Sequence, residues 1–435
     1  MLSVAFFLIL RLNSARMTTL PEDFIRETRQ LMGEDRFNRF IGAFDEEAPV
    51  SIRVNPRALG DCPRCALAVG EVPWCPEGYY LSGRPQFTFD PLFHAGCYYV
   101  QEAASMFITH VLRSVTEGRF FCDIASDVTK EPSLCYTLDL CAAPGGKSTA
   151  MRTVLPEGSL LVSNEPVPTR AQILLENITK WGWPDCIVTN NYPRDFRKAK
   201  MQFDLILCDV PCSGEGMFRK DPATIGEWSL QNVEKCWHLQ REIVADAWEC
   251  LNPGGLLIYS TCTYNIKENE ENVRWILKTY DAEPITIPTD PSWNITGSLL
   301  PGFDAPVYRF IPGITRSEGL FLCALRKRGK WKEERGKRIV LPQNPGLNVI
   351  YSPPKLGGET PSIDLSYQDA LRYLRGEALV LSPDTPRGIV TVTYRGVPLG
   401  PAKNIGSRAN NLYPKPWRIK TTHLPSTPVE IICKL

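Results

Sequence analysis

Between residues 97 and 326 short β-rich runs alternate with helix-like stretches, and no other feature of the sequence restricts the fold as strongly. The strand candidates are Tyr136–Leu140, Ser159–Ser163, Cys186–Thr189, Phe203–Cys208, Gly255–Ser260 and Leu320–Leu325. Helix-like segments such as Thr169–Trp181 and Leu230–Leu251 lie between them. This alternation predicts an α/β fold with a parallel, doubly wound, Rossmann-like sheet. Ligands of such sheets bind outside the carboxyl ends of the strands, so the residues just after each strand are where chemistry is expected.

The remaining chain divides around this block. Residues 1–16 hold an apolar run, Leu2 to Leu10, with no basic residue ahead of it. It is shorter than the ~20 residues that span a bilayer. It reads as an upstream extension, with Met17 the natural start and no membrane partner expected. Pro21, Glu22 and Asp23 open a helix. Two short helices and a strand at Val50–Val54 make residues 17–95 a small α+β module. The alternating block is set at 96–326. Arg326 to Arg338 is dense in Lys and Arg, so 327–340 is expected to be a basic linker. Residues 341–435 are Pro-rich and β-like, with a helical stretch near Tyr367–Arg375.

Charge and cysteine usage narrow the function. Lys and Arg number 49 against 48 Asp and Glu, so no global field draws the chain onto nucleic acid. An RNA partner would have to be held by local basic patches. Fifteen cysteines in 435 residues are too dilute for a disulfide scaffold and are expected to be free thiols in a reducing cytoplasm. Cys62-Pro63-Arg64-Cys65, with Cys75, His94 and Cys97 downstream, has half of a zinc-site spacing. A second CxxC is missing, so no metal is expected.

Four motifs follow strands. Leu138-Asp139-Leu140-Cys141-Ala142-Ala143-Pro144-Gly145-Gly146-Lys147-Ser148 runs from a strand through a glycine turn into a helix. Small residues let a ligand approach the backbone, and a helix N-terminus offers free N–H groups. A phosphate-binding P-loop would need glycine where Cys141 stands. Ser163-Asn164-Glu165 ends the next strand, at the spacing where an acid can accept hydrogen bonds from the ribose of an adenosine cofactor. Asp209-Val210-Pro211-Cys212-Ser213-Gly214-Glu215-Gly216 and Tyr259-Ser260-Thr261-Cys262-Thr263-Tyr264-Asn265 follow two further strands. They bring two cysteines to the ligand edge of one sheet. A thiol is a strong nucleophile once its environment favours the thiolate.

Together these residues resemble the Nop/Sun family of RNA cytosine-5 methyltransferases, which use S-adenosylmethionine. Asp139–Ser148, Asp209–Gly216 and Ser260–Thr263 match three of its signatures. Tyr98 to Met106 (YYVQEAASM) matches a fourth, and Arg53-Val54-Asn55-Pro56 matches its N-terminal RNA-binding module. Gly214 to Pro222 (GEGMFRKDP) is most like the bacterial RsmF branch, which modifies small-subunit ribosomal RNA. Gly396 to Gly400 and Asn410 to Pro414 resemble that branch's PUA-like RNA-binding tail. The resemblance covers the chain from about residue 20 onward.

The resemblance implies S-adenosylmethionine as cofactor, held by Cys141, Ala142, Ala143, Pro144, Gly145, Gly146 and Lys147, with Glu165 on the ribose and Asp209 at the edge. It implies Cys262 as nucleophile, Cys212 assisting release as or through a base, Asp209 bonding the cytosine edge, and Lys147 supporting the site electrostatically. Where the family places an acid near the adenine this chain has Asn190, Asn191 or Tyr192. The stretch from about Ser114 to Leu134 is longer than the family pattern leads one to expect. The implied partner is small-subunit ribosomal RNA or the subunit itself, with tRNA as the alternative and a non-catalytic RNA-binding assembly factor as the contrasting class. A monomer is expected. In the tail, Arg395, Lys403, Arg408, Lys415, Arg418 and Lys420 interleaved with Tyr394, Tyr413 and Trp417 suit RNA.

Overall fold

The computed structural model describes residues 20–60, 65–117, 135–329, 346–351, 360–421 and 423–432. The extension before Met17, Cys62, most of the 114–134 stretch and the linker from residue 330 lie outside them.

Five parallel strands form the centre: β5 (Tyr136–Asp139), β6 (Leu160–Asn164), β7 (Cys186–Thr189), β8 (Phe203–Asp209) and β9 (Leu251–Thr261). They stand in the order β7-β6-β5-β8-β9. All five were legible as alternating runs. The sixth run, β12 (Leu320–Lys327), pairs antiparallel with β9, so the sheet is mixed rather than wholly parallel. Two short strands, β10 (Ala282–Pro284) and β11 (Tyr308–Phe310), add to β12. At the other edge β13 (Val349–Tyr351) pairs antiparallel with β7, so these residues complete the catalytic sheet although the sequence groups them with the tail.

Side chains alternate across each strand. Leu205, Leu207, Leu256 and Ile258 join the core under α3 (Phe107–Glu117) and α4 (Gly146–Val154). Ile206, Cys208, Leu257 and Tyr259 join the opposite core. That core packs against α7 (Leu230–Glu249) and α8 (Glu270–Thr279). This period of two with both faces covered explains why the strands read as near-continuous apolar runs. From β5 the chain winds outward to β6 and β7 through α5 (Pro168–Trp181), then returns to β8 through α6 (Pro193–Lys198). The reversal opens a crevice at the carboxyl ends of β5 and β8.

The N-terminal strands β1 (Ser51–Val54), β2 (Ala68–Val72), β3 (Cys75–Leu81) and β4 (Tyr98–Val100) form an antiparallel sheet in the order β2-β3-β1-β4. It extends past residue 95, because β4 pairs with β1. The tail sheet, β14 (Ser362–Asp364), β15 (Gly388–Tyr394), β16 (Val397–Asn404) and β17 (Ala409–Asn411), packs with α9 (Tyr367–Arg375). These two units share one apolar core, where Ile52, Val54 and Tyr98 meet Leu371, Tyr373, Val390 and Ile431. The helices α1 (Glu22–Met32) and α2 (Glu34–Gly42) pack elsewhere: Phe24 meets Phe218 at 5.1 Å and Phe40 meets Tyr264 at 4.9 Å, both in the catalytic domain.

The Arg53-Val54-Asn55-Pro56 motif is the junction between units. Arg53, wholly buried, donates to Gln101 at 2.8 Å and Thr149 at 2.6 Å, and its guanidinium lies 4.3 Å from the Trp181 ring. Asn55 donates to Gly96 O and Trp181 O, each at 2.8 Å. Lys327, expected at the head of the basic linker, instead ends β12 and donates to Trp248 O in the last turn of α7 and to Leu251 O at the start of β9.

Candidate active site

The β5–α4 turn forms a cradle around the crevice. Gly145, at φ +112°, takes a backbone conformation that side-chain-bearing residues rarely adopt, and it lets α4 start with its N–H groups toward the turn. Ala142 N donates to Asn164 O at 2.7 Å, and Asn164 Nδ2 donates to Leu140 O at 3.0 Å, so the ends of β5 and β6 hold one another. Asn177 and Arg170, from α5, hold Pro144 O and Ala143 O at 2.8 and 3.1 Å.

Two buried carboxyl groups face this turn. Asp139 accepts from Ser148 Oγ at 2.6 Å, yet its Oδ1 has no hydrogen-bond partner. Burial pushes Asp139 up to about 7, against that hydrogen bond. Glu165 accepts from Val167 N at 3.0 Å, while its Oε2, 3.5 Å from Arg170, lacks a hydrogen-bond partner. A buried carboxylate oxygen without a donor is costly unless something supplies one. Ribose hydroxyls are such donors, so the residues at Cys141–Lys147 and Glu165 fit an adenosine-type cofactor.

Of the three candidates beside the adenine, two side chains are engaged. Asn190 donates to Glu165 O and Pro166 O at 2.7 and 3.0 Å. Asn191, buried, is tied to the backbone of Asn348 at 2.9 and 3.1 Å. Tyr192 is 56% exposed, with the Arg194 guanidinium 5.0 Å from its ring centroid.

The loops after β8 and β9 cross at the next part of the edge. Val210 N donates to Ser260 O at 3.0 Å and Gly216 N to Cys262 O at 2.8 Å. The approach at Gly216 is so close that a Cβ would lie 2.8 Å from Cys262 O, which accounts for glycine there. The crossing puts Cys212 Sγ 3.2 Å from Cys262 Sγ, both half-buried. Lys147, from the cofactor turn, donates to Asp209 Oδ2 at 2.9 Å. Burial opposes the Lys147 charge, but the adjoining Asp209 carboxylate outweighs it and holds the ammonium above its ordinary range. The Cys212 hydrogen bond, aided by Lys147, holds the Cys262 thiol below its ordinary range against burial. Cys212 is pushed up. Burial pushes Cys141, Cys208 and Cys323 up.

The sequence reading missed the floor beneath the thiols. Glu215 and Glu268 are 2% and 0% exposed and take N–H donors from both loops. An acid inside the Gly214–Gly216 turn was the available signal, since a charged residue in a tight buried turn needs a reason.

Elsewhere the expectations fare unevenly. Of the twelve described cysteines, Cys75, Cys141, Cys186, Cys208, Cys212, Cys236, Cys250, Cys262 and Cys323 are free thiols. Cys65 bridges to Ile432, and His94 Nε2 lies 2.9 Å from Thr88 O. Among the described residues no group of three or more His, Cys, Asp or Glu could hold a metal ion, and no helix is long and apolar enough to cross a membrane. In the tail, Lys403, Arg408, Lys415 and Lys420 are exposed, but Tyr394 and Tyr413 are buried in the shared core, so only Trp417 is left half-exposed.

Fold neighbours agree with this architecture. A methyltransferase homolog protein from Pyrococcus horikoshii superposes with a TM-score of 0.53 at 22% identity over 71% of this chain and 100% of that one. NSun6 from the same organism, solved with SFG, gives 0.54 at 19%, covering 71% and 99%. These neighbours share the Rossmann-like fold, with its crevice at the carboxyl ends of the strands. Family models for the 16S rRNA methyltransferase RsmB/F, the N-terminal domain of 16S rRNA methyltransferase RsmF and the RsmF PUA domain match residues 130–326, 20–103 and 360–419. Ribosomal RNA small subunit methyltransferase F of Cronobacter sakazakii is 30% identical over 91% of this chain and 96% of its own length. Its counterpart in Serratia proteamaculans is 32% identical over 71% and 63%. The chain belongs to the RsmB/F family of 16S rRNA methyltransferases.

Proposed function

We propose that this enzyme transfers a methyl group to carbon 5 of a cytosine in small-subunit ribosomal RNA, in the cytoplasm, through a covalent adduct with Cys262. The observation that carries this reading is the 3.2 Å apposition of Cys212 and Cys262 on two strand-end loops, next to the Lys147–Asp209 pair. S-adenosylmethionine, when bound, supplies an electrophilic methyl group on a sulfonium.

Carbon 5 of cytosine is a poor nucleophile. The Cys262 thiolate adds to carbon 6, and the electron pair of the 5,6 double bond moves to carbon 5, which then takes the methyl group. Cys212, as the base or through one, removes the carbon 5 proton. That electron pair restores the double bond and expels the Cys262 thiolate. Asp209 bonds the cytosine edge at ring nitrogen 3 or the amino group, held in place by Lys147. Glu165 and the Cys141–Lys147 turn would hold the cofactor, with Asn190, Asn191 or Tyr192 near its adenine. A base in this pocket must leave its stack, at a cost of a few kcal/mol. The N-terminal sheet and the tail, joined by one core, form the RNA-holding unit, with Lys403, Arg408, Lys415 and Lys420 reaching phosphates.

The test is nucleoside mass spectrometry of unmodified 16S rRNA, assembled small subunits and tRNA after reaction. 5-Methylcytidine at one position of 16S rRNA or of the subunit is the expected product. The modified nucleoside in tRNA alone would move the substrate, and a different methylated nucleoside would refute the chemistry.

A further inference from the structure

Beneath the two thiols lie two carboxylates that the reaction itself does not use. Glu268 Oε2 accepts from Ser213 N at 3.0 Å and Gln240 Nε2 at 2.7 Å, and its Oε1 from Asn265 Nδ2 at 2.8 Å. Glu215 accepts from Trp228 Nε1 at 3.0 Å, Tyr264 N at 2.7 Å, and Asn265 N and Nδ2, both at 3.0 Å. Asn265 thus bridges the pair. Ser213 directly follows Cys212, and Thr263 and Tyr264 directly follow Cys262. Gln240 also donates to Pro211 O at 2.9 Å, on the other side of Cys212. The donors to these two carboxylates therefore come from both thiol-bearing loops.

Every partner of the Glu268 carboxylate donates to it. The side-chain amides among them cannot turn over. Gln240 Oε1 already accepts from Tyr259 Oη at 3.1 Å and Asn272 Nδ2 at 2.8 Å, and Asn265 Oδ1 accepts from Glu268 N at 2.9 Å. Only a group that accepts at both of its oxygens satisfies the site. A glutamine of the same shape would point its own N–H₂ at a donor whichever way it lay.

We propose that Glu268, linked through Asn265 to Glu215, is a positioning residue that clamps the Cys212 loop to the Cys262 loop and so sets the separation of the two sulfurs. This rests on the two-thiol reading of the reaction, but the clamp can be measured without RNA. The helices α1 and α2 brace the same floor from outside, because Phe24 meets Trp228, a donor to Glu215, at 5.6 Å.

The test compares wild type with Glu268→Gln and the milder Asn265→Ala, which removes the bridge at a half-buried position and keeps both acids. Phenylarsine oxide, which needs two adjacent thiols, is titrated against each protein, and capture is read as protection of Cys212 and Cys262 from iodoacetamide by peptide mass spectrometry. Cofactor affinity and methyl transfer at saturating cofactor are measured alongside. We expect wild type to capture the arsenical. Both variants should bind S-adenosylmethionine within two-fold of wild type, while capture and turnover fall at least ten-fold in Glu268→Gln and less in Asn265→Ala. Capture and turnover within two-fold of wild type in both variants would overturn the clamp. Loss of cofactor binding in both would overturn it too, since the acids would then be holding the whole fold rather than the loops. Should Glu268→Gln alone fail to fold, Asn265→Ala decides. A wild type that captures the arsenical but methylates no RNA would count against the proposed reaction and leave the clamp to be judged on capture alone.

Discussion

The cofactor crevice and the two-thiol pocket share one edge of the same sheet but are built by different means. The crevice is made of backbone: a glycine turn, a helix start and strand ends bonded to each other, with Asp139 and Glu165 each keeping one oxygen without a hydrogen bond. The thiol pocket is made of side chains on two crossing loops, and every oxygen of Glu215 and Glu268 beneath it accepts a hydrogen bond. The crevice is incomplete until a ligand supplies donors. The pocket is already satisfied within the protein, so its geometry is held before RNA arrives, as preorganised reacting groups must be. Binding and chemistry should therefore separate cleanly on mutation.

The largest break expected is Cys262→Ala, which removes the proposed nucleophile. Methyl transfer should fall by at least about a thousand-fold, with cofactor affinity unchanged by calorimetry. A parallel loss of affinity would mean that pocket and crevice are not separable. Next comes Cys212→Ala, which spares adduct formation and blocks its release. Turnover should fall by roughly 10²–10⁴ in steady-state methylation assays. The reverse pattern belongs to the crevice. Glu165→Ala removes an acceptor worth about 1.5–3 kcal/mol, so cofactor affinity should weaken roughly ten- to hundred-fold, with kcat at saturating cofactor little changed.

The smallest effect is one the two regions share. Burial pushes Asp139 up to about 7, and burial with the neighbouring Glu215 charge pushes Glu268 there too, outweighing its donors Ser213, Asn265 and Gln240. The native state thus holds these protons more tightly than the unfolded chain, whose carboxyl groups titrate near ~4. Each group's stabilisation is present in full below that value and is lost as pH rises through about 7. Urea midpoints at pH 5 and pH 8 should differ less in Asp139→Asn and in Glu268→Gln than in wild type. An unaltered difference would mean that neither group is raised. The titratable groups facing Glu268 are Glu215, Cys212 and Cys262 from the loops, Cys236 from α7 and Tyr259 from β9.

What could be read from the sequence follows the same division. The strands β5 to β9 were legible because two-sided burial leaves a continuous apolar run, and the crevice because turn chemistry is local. The antiparallel entry of β12 was not, since strand direction depends on a connection rather than a composition. The pairing of β13 with β7, and the single core uniting the N-terminal sheet with the tail, join residues 160 or more positions apart. Tyr394 and Tyr413 looked suited to stacking on RNA, yet that core buries them. The two thiols were legible as a pair of strand-end cysteines. Their floor was not, because Glu268 lies three residues beyond Asn265 and gains its meaning only when the second loop arrives.

The central claim is that Cys262 attacks and Cys212 releases. Cys212→Ala incubated with unmodified 16S rRNA and S-adenosylmethionine should form an RNA–protein adduct that survives denaturant, with the RNA attached to the peptide containing Cys262. The adduct should be absent from the Cys212→Ala/Cys262→Ala double variant. An adduct that persists in the double variant, or full turnover by Cys212→Ala with no adduct, would contradict the account.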